Sequence, residues 1–141
     1  MTDRYFVDTN LLVYARDSSE TEKQPIAEQW MSSLWEARSG CLSTQVLQEY
    51  YQVVTRRLSP GLPPSVARDD VRDLWCWNPV VVDEAVIERA WWVEDRLGFS
   101  WWDSLIVGAA LSAECRYLLS EDMQHGQVIN GLTLLNPFMG R

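Results

Sequence analysis

Near the amino terminus, Tyr5, Phe6 and Val7 run directly into Asp8, Thr9 and Asn10. A short unbroken apolar run reads as a strand buried on both faces, as in a parallel sheet covered by helices. Asp8 then stands at the strand's carboxyl end, the edge where open α/β sheets bind ligands. What the rest of the chain can build depends on whether other acids reach that edge.

Thr9 to Arg16 reads as helical, and Asp17 to Ser19 breaks the pattern. Ser19 or Thr21 is placed to cap a second helix running to about Ala37, with Ile26, Trp30 and Leu34 on one stripe and Gly40 as its stop. Cys41 to Ser43 is a short strand candidate. A helix from Thr44 to about Leu58 follows, its apolar stripe made by Val46, Leu47, Tyr50, Val53 and Val54. Glu49 lies three after Val46 and four before Val53, which puts an acid on the apolar face. Ser59 to Pro64 interrupts the chain, and a short helix runs from about Ser65 to Leu74. After a turn at Asn78 and Pro79, Val80 to Val82 reads as a buried strand. Asp83 caps a helix to about Leu97, stopped by Gly98. The helix from Trp101 to Glu114 is nearly all apolar and therefore central. Asp103, Ile106, Val107 and Ala110 share one of its stripes. Arg116 to Ser120 is another strand, ending in Glu121 and Asp122, and Leu132 to Leu135 is the last. Strands alternating with helices, without repeats, imply one α/β domain over 1–141 with a mainly parallel sheet in a layered fold.

The chain has 141 residues, 47% of them apolar, enough for a real core in one domain. No apolar run approaches the roughly 18 residues of a membrane span. Met1 to Arg4 carry no signal-peptide pattern, so the expected location is the cytoplasm, with no membrane contact. Cys41, Cys76 and Cys115 are odd in number and lack metal-type spacing, which reads as reduced thiols. With only one histidine, a zinc site is disfavoured. A net charge of −8 argues against coating nucleic acid by bulk charge, but not against an enzyme that meets phosphates through a metal. The eight tryptophans read as core filler, with an interface role for some as the sharper alternative.

Asp8 and Asp122 follow apolar strands; Glu49 and Asp103 lie on apolar helix faces. In a parallel sheet both strand ends share one edge, so four carboxylates can converge on one cleft. Like charges buried together raise one another's pKa unless a cation compensates. No lysine lies in these stretches, and the natural compensator is a divalent ion. Carboxylate oxygens suit Mg²⁺ or Mn²⁺, which favours hydrolysis of a phosphodiester by a metal-activated water. Each acid also has a plainer role. Asp8 fits a helix cap, and Asp103 falls three after Ser100 as in a capping pattern. Glu49 can snorkel, and Glu121 fits a surface turn. Thr9, Asn10 and Ser120 can orient the carboxylates or simply make local turn bonds. His125, the lone histidine, reads as a phosphate contact or as an idle loop residue.

These residues resemble the PIN-domain nucleases, and most closely the VapC-type ribonuclease toxins of bacterial toxin–antitoxin pairs. The resemblance rests on Phe-Val-Asp-Thr-Asn at 6–10, the helical Glu49, Trp-Trp-Asp-Ser-Leu-Ile at 101–106 and Leu-Leu-Ser-Glu-Asp at 118–122. The tail from Ser120 to Gly126, followed by Leu-Asn-Pro-Phe at 135–138, is similar to one group of those toxins. The resemblance implies a Rossmann-like three-layer α/β/α fold and a Mg²⁺- or Mn²⁺-dependent endoribonuclease. Its acids are Asp8, Glu49, Asp103 and Asp122, with Thr9, Asn10 and Ser120 as their polar companions. It further implies a homodimer and an antitoxin partner, for which the region from about Thr21 to Leu74 is the expected contact. Arg56 and Arg57, with Arg38, are the candidate basic patch for RNA. Rival readings are a non-catalytic metal- or RNA-binding module and a DNA-directed nuclease of the same fold. An aspartyl-phosphate phosphatase is disfavoured, because Asn10 stands where that chemistry needs a second acid.

Overall fold

The computed structural model describes residues 3–139. Five strands, β1 (Tyr5–Val7), β2 (Gly40–Cys41), β3 (Tyr117–Leu119), β4 (Val128–Ile129) and β5 (Leu132–Leu135), form one sheet. Six helices surround it: α1 (Thr9–Arg16), α2 (Lys23–Ala37), α3 (Thr44–Arg56), α4 (Pro64–Leu74), α5 (Glu84–Leu97) and α6 (Trp101–Ser112). The strand order is β2-β1-β3-β5-β4. All pairings are parallel except β4 against β5.

Successive strand residues point to opposite faces of a sheet. Phe6 and Val7 are both 0% exposed, as are Leu118 and Leu119, so both faces of the two central strands are covered. That is the three-layer α/β/α arrangement. On the helical side, α1 packs on α2 and α3, α4 on α3, and α5 on α6. Every residue of α6 from Ser104 to Ala110 is buried, as its all-round apolar composition requires.

Several local expectations are corrected. α2 begins at Lys23, after a cap position, Glu22, that makes no side-chain cap bond. Ser19 does not cap it, because its hydroxyl and N–H both donate to Asp17 and close a turn there. The buried stripe of α2 is Ala27 and Leu34, while Ile26 is exposed. Arg38, in the left-handed region, ends the helix. Gly40 belongs to β2 instead, where a Cβ would collide with the ring of Trp77. Val80 to Val82 is not a strand: Val80 makes one bridge to Ser43 before Asp83 starts α5, and Val81 is exposed. β4 was not expected. It pairs with β5 through Asn130 and Gly131, both at positive φ, the conformation a tight hairpin requires. Of the eight tryptophans, Trp30, Trp77, Trp92 and Trp101 are half-buried and pack against the core, as expected, while Trp35, Trp75, Trp91 and Trp102 are exposed and are not core filler. Cys41, Cys76 and Cys115 are free thiols, as expected.

The tightest helix contact is set by Gly108 of α6. A Cβ there would lie 2.9 Å from the Val86 carbonyl oxygen and 3.1 Å from the Ala90 nitrogen of α5. Neither backbone atom can yield without moving the helix. Gly108→Ala should therefore cost about 1–3 kcal/mol, as overpacking does. Urea denaturation should show a lower midpoint at unchanged slope, and an unchanged midpoint would refute this close approach.

Candidate active site

The site begins with the pairing of β1 and β3, in which Val7 faces Leu119. One residue beyond the paired strands, Asp8 and Ser120 come side by side. The Asp8 N–H donates to the Leu119 carbonyl at 3.1 Å, and the Ser120 hydroxyl donates to Asp8 Oδ2 at 2.7 Å. From β1 the chain crosses to β2 on one side, and later enters β3 on the other. This is a topological switch point, which opens a crevice at the carboxyl edge. Asp8 is 6% exposed there and also caps α1, its Oδ1 accepting from the Thr9 N–H at 2.7 Å. Capping and facing the crevice are thus one placement.

Asp8, Glu49, Asp103 and Asp122 all line one pocket of about 570 Å³. Glu49 arrives on α3, whose own cap is the Ser43 hydroxyl accepting from the Val46 N–H. The Thr9 hydroxyl donates to Glu49 Oε1 at 2.9 Å and so ties α3 to the start of α1. Asp103 lies in the first turn of α6, where its N–H donates to the Ser100 hydroxyl at 3.2 Å. A carboxylate in a first turn also gains from the helix dipole. Asp122 follows β3. Its N–H donates to the Ser120 hydroxyl at 3.2 Å, and its Oδ2 accepts from the Asn10 amide at 3.1 Å.

Burial pushes the Asp8 carboxyl up to about 6; the bonds from Ser120 and Thr9 pull it down, and the charges of Asp103 and Asp122 push it up again. Asp103 is raised as well, first by burial and then by Asp122, against a lowering bond with Ser100. Among the described residues no three of these groups are drawn close enough to enclose an ion. The donor set nevertheless fits a hard divalent cation. It offers carboxylate oxygens under mutual repulsion, and Mg²⁺ takes only one or two carboxylates directly while keeping several waters.

Two candidates stand elsewhere. Glu121 accepts from Lys23 Nζ at 2.7 Å and from the Tyr14 hydroxyl, so its charge is compensated away from the other acids. His125 is held in its loop, Nδ1 accepting from the Asn136 N–H at 3.0 Å, and it does not line the pocket. Of the expected basic patch, only Arg57 reaches the pocket wall. Tyr51 is half-buried against the core, with its hydroxyl accepting from Arg68 at 3.1 Å. The sequence reading missed Gln45, Gln48, Gln52 and Trp102, which also line the pocket.

The chain belongs to the PIN-domain family, whose pattern it matches over residues 5–128. It has the same fold as the crystal structure of Mycobacterium tuberculosis VapC20, described as a sarcin–ricin loop cleaving toxin. That match has a TM-score of 0.65 at 20% identity, and covers 84% of this chain and 91% of the other. A comparison with curated protein sequences finds no match.

The raised Asp8 pKa has a consequence for stability without metal. Folded, Asp8 holds its proton to about pH 6; unfolded, it loses it near pH 3.9. Between these values the native state binds more protons, so stability must fall as pH rises, and the full penalty stands above about pH 6. Two pKa units correspond to about 3 kcal/mol as an upper bound. Asp8→Asn should therefore flatten the decline from about pH 4 to pH 7 and stabilise the metal-free chain at neutral pH. Urea denaturation in chelator checks this; parallel pH profiles for the two chains would refute it.

Proposed function

We propose that this chain is a Mg²⁺- or Mn²⁺-dependent endoribonuclease of one PIN-like domain over 1–141. In this reading it is the toxin of a type II toxin–antitoxin pair acting in the cytoplasm. The observation that carries the proposal is the convergence of Asp8, Glu49, Asp103 and Asp122 on one pocket at the carboxyl edge of a PIN fold. The shared fold with a toxin described as cleaving the sarcin–ricin loop supports RNA as the substrate class. No helix among the described residues is long and apolar enough to cross a membrane. Its protein partners in this reading are an antitoxin and a second copy of itself.

The residues divide the work by what they touch. Asp8, Asp103, Glu49 and Asp122 are the proposed metal-holding carboxylates. Ser120 and the Thr9 N–H fix the two oxygens of Asp8, the Thr9 hydroxyl fixes Glu49, and Asn10 fixes Asp122. When bound, a divalent ion supplies a more acidic water and stabilises charge on a phosphoryl oxygen. Burial of Asp8 keeps bulk water from competing for its oxygens. The charges of Asp103 and Asp122 push the Asp8 pKa up, and that of Asp122 pushes Asp103 up; this repulsion would be relieved by a bound cation, so metal binding and the stability of the edge would be linked.

Purified chain, freed of any partner, should cut a mixed cellular RNA pool with Mg²⁺ or Mn²⁺ and not with chelator. Asp8→Asn should abolish the cutting. Ser120→Ala should reduce it by about 10- to 100-fold, the range for losing a group that orients a metal ligand. Glu121→Gln should leave the rate near that of the parent. Selective cutting of DNA would convert the reading to a DNA nuclease. A folded, metal-binding chain that cuts neither polymer would be a binding module. Cutting that survives Asp8→Asn would displace the assigned site.

A further inference from the structure

We propose that Trp102 and Gln45 form a nucleobase subsite at the wall of the pocket between α3 and α6. One unpaired base of the RNA stacks on Trp102, and the Gln45 amide, turning out of its buried position, reads its edge. The proposal rests on the ribonuclease reading and adds to it what selects the RNA. Trp102 is 62% exposed, although it lies next to Asp103 and just before the most buried stretch of α6. Its neighbour Trp101 packs against the core, so exposure of the second indole is not a property of the helix turn as a whole. It presents a large flat apolar face at the rim of a pocket lined by acids.

Gln45 sits across from it in the first turn of α3 and is 8% exposed. Its Nε2 donates to the Trp102 carbonyl at 3.5 Å, a long bond, and its Oε1 has no hydrogen-bond partner. A buried acceptor without a partner is costly, and such sites call for an explanation. A primary amide offers a donor and an acceptor together, the pattern that reads a base edge. Single-stranded RNA is recognised in this way, with bases splayed onto aromatic rings and their edges hydrogen-bonded.

The surroundings extend the subsite. Gln45, Gln48, Glu49 and Gln52 follow helical spacing on one face of α3, and Arg57 closes the row at its carboxyl end. Arg57 is exposed and makes no ion pair among the described residues, which leaves its guanidinium for a backbone phosphate. A strand laid along α3 therefore meets a base site at one end, the acids in the middle and one cation at the other. In a chain of net charge −8, stacking has to supply affinity that bulk charge cannot.

The test uses the full chain in the Asp8→Asn background, with Mg²⁺ and with chelator. Binding of fluorescein-labelled single-stranded oligoribonucleotides that differ at one base is read by anisotropy. The parent should prefer one base. Trp102→Ala should weaken binding of every oligonucleotide by about 10-fold, within the range for one stacked base, and Trp102→Phe should recover most of it. Gln45→Met should retain the affinity for the poorest oligonucleotide and lose the preference. The melting temperature of Trp102→Ala should match the parent's, because the side chain is exposed. Absence of RNA binding by the parent, unchanged binding by Trp102→Ala, or an intact preference in Gln45→Met overturns the proposal. So does loss of self-association in Trp102→Ala with RNA affinity unchanged, which would make Trp102 a protein contact. Cleavage-site profiles of the same chains with Asp8 intact separate the two readings. Cutting whose sequence preference is the same in the parent, Trp102→Ala and Gln45→Met leaves a nuclease without this subsite. Base-selective binding with no metal-dependent cutting leaves the subsite without the nuclease.

Discussion

The parallel register of β1 against β3 is the constraint on which the carboxyl edge depends. Val7 opposite Leu119 sets Asp8 beside Ser120, and the bond between them closes the pair of strands at the point where they diverge. A slip of one residue would turn each side chain to the opposite face and take Asp8 out of the crevice. The register is protected because Phe6, Val7, Leu118 and Leu119 are all fully buried, so any slip also unpacks both layers of helices. Asp8 is thereby placed by core packing, and its bond to the Thr9 N–H makes it the start of α1 as well. Thr9 and Asn10 then ride on the first turn of that helix and reach Glu49 and Asp122, segments far away in sequence. One strand end organises three other segments.

That placement works against the charge of the carboxylate. Two hydrogen bonds to Asp8 do not cancel its burial, and Asp103 and Asp122 add to the cost. Groups perturbed by burial and by specific like charges in a cleft are a mark of functional sites. The contrast with Glu121 is instructive. It follows Ser120 in the same turn, yet its carboxylate is met by Lys23, the chain's only lysine. Asp122, one residue on, is met by a neutral amide. Two adjacent acids thus differ in whether a cation is already at hand. The proposed site collects the ones for which it is not.

Most of the architecture was legible because it follows from burial. A run such as Phe6 and Val7 has no solvent-facing side, and α6 has none either, so the layered parallel sheet follows. Glu49 was legible for the opposite reason, as a charge at the margin of the apolar stripe, three after Val46 and four before Val53. The failures lie where several local partners compete. Ser19 had the chemistry of a cap, but Asp17 lay closer. Val80 to Val82 had strand composition, but only Val80 finds a partner, in Ser43, before the cap of α5. Half of the tryptophans were misread, because hydrophobicity alone does not say which of such large rings find space against a core this small. The amide row of α3 carried a visible signal, since Gln45, Gln48 and Gln52 share the period of Glu49. It was overlooked because glutamine on a helix ordinarily faces water.

The acidity of the chain then bears on how it holds RNA under the proposed reading. Binding through phosphate neutralisation needs several cations on one path, and each adds to the salt dependence. Here Arg16 is held by Asp70, Lys23 by Glu121 and Arg72 by Asp69, leaving Arg57 at the pocket. The field near the four acids repels a phosphate until a divalent ion is present. An RNA in this reading therefore gains little from the surface as a whole and much from the few places where an ion, an indole face and an amide with an unpaired oxygen offer something specific. Such a surface penalises non-specific association, because a strand lacking the right base meets the repulsion without the stacking. Under the proposed reading, selectivity follows from the same negative charge that first counts against the chain as a binder of nucleic acid.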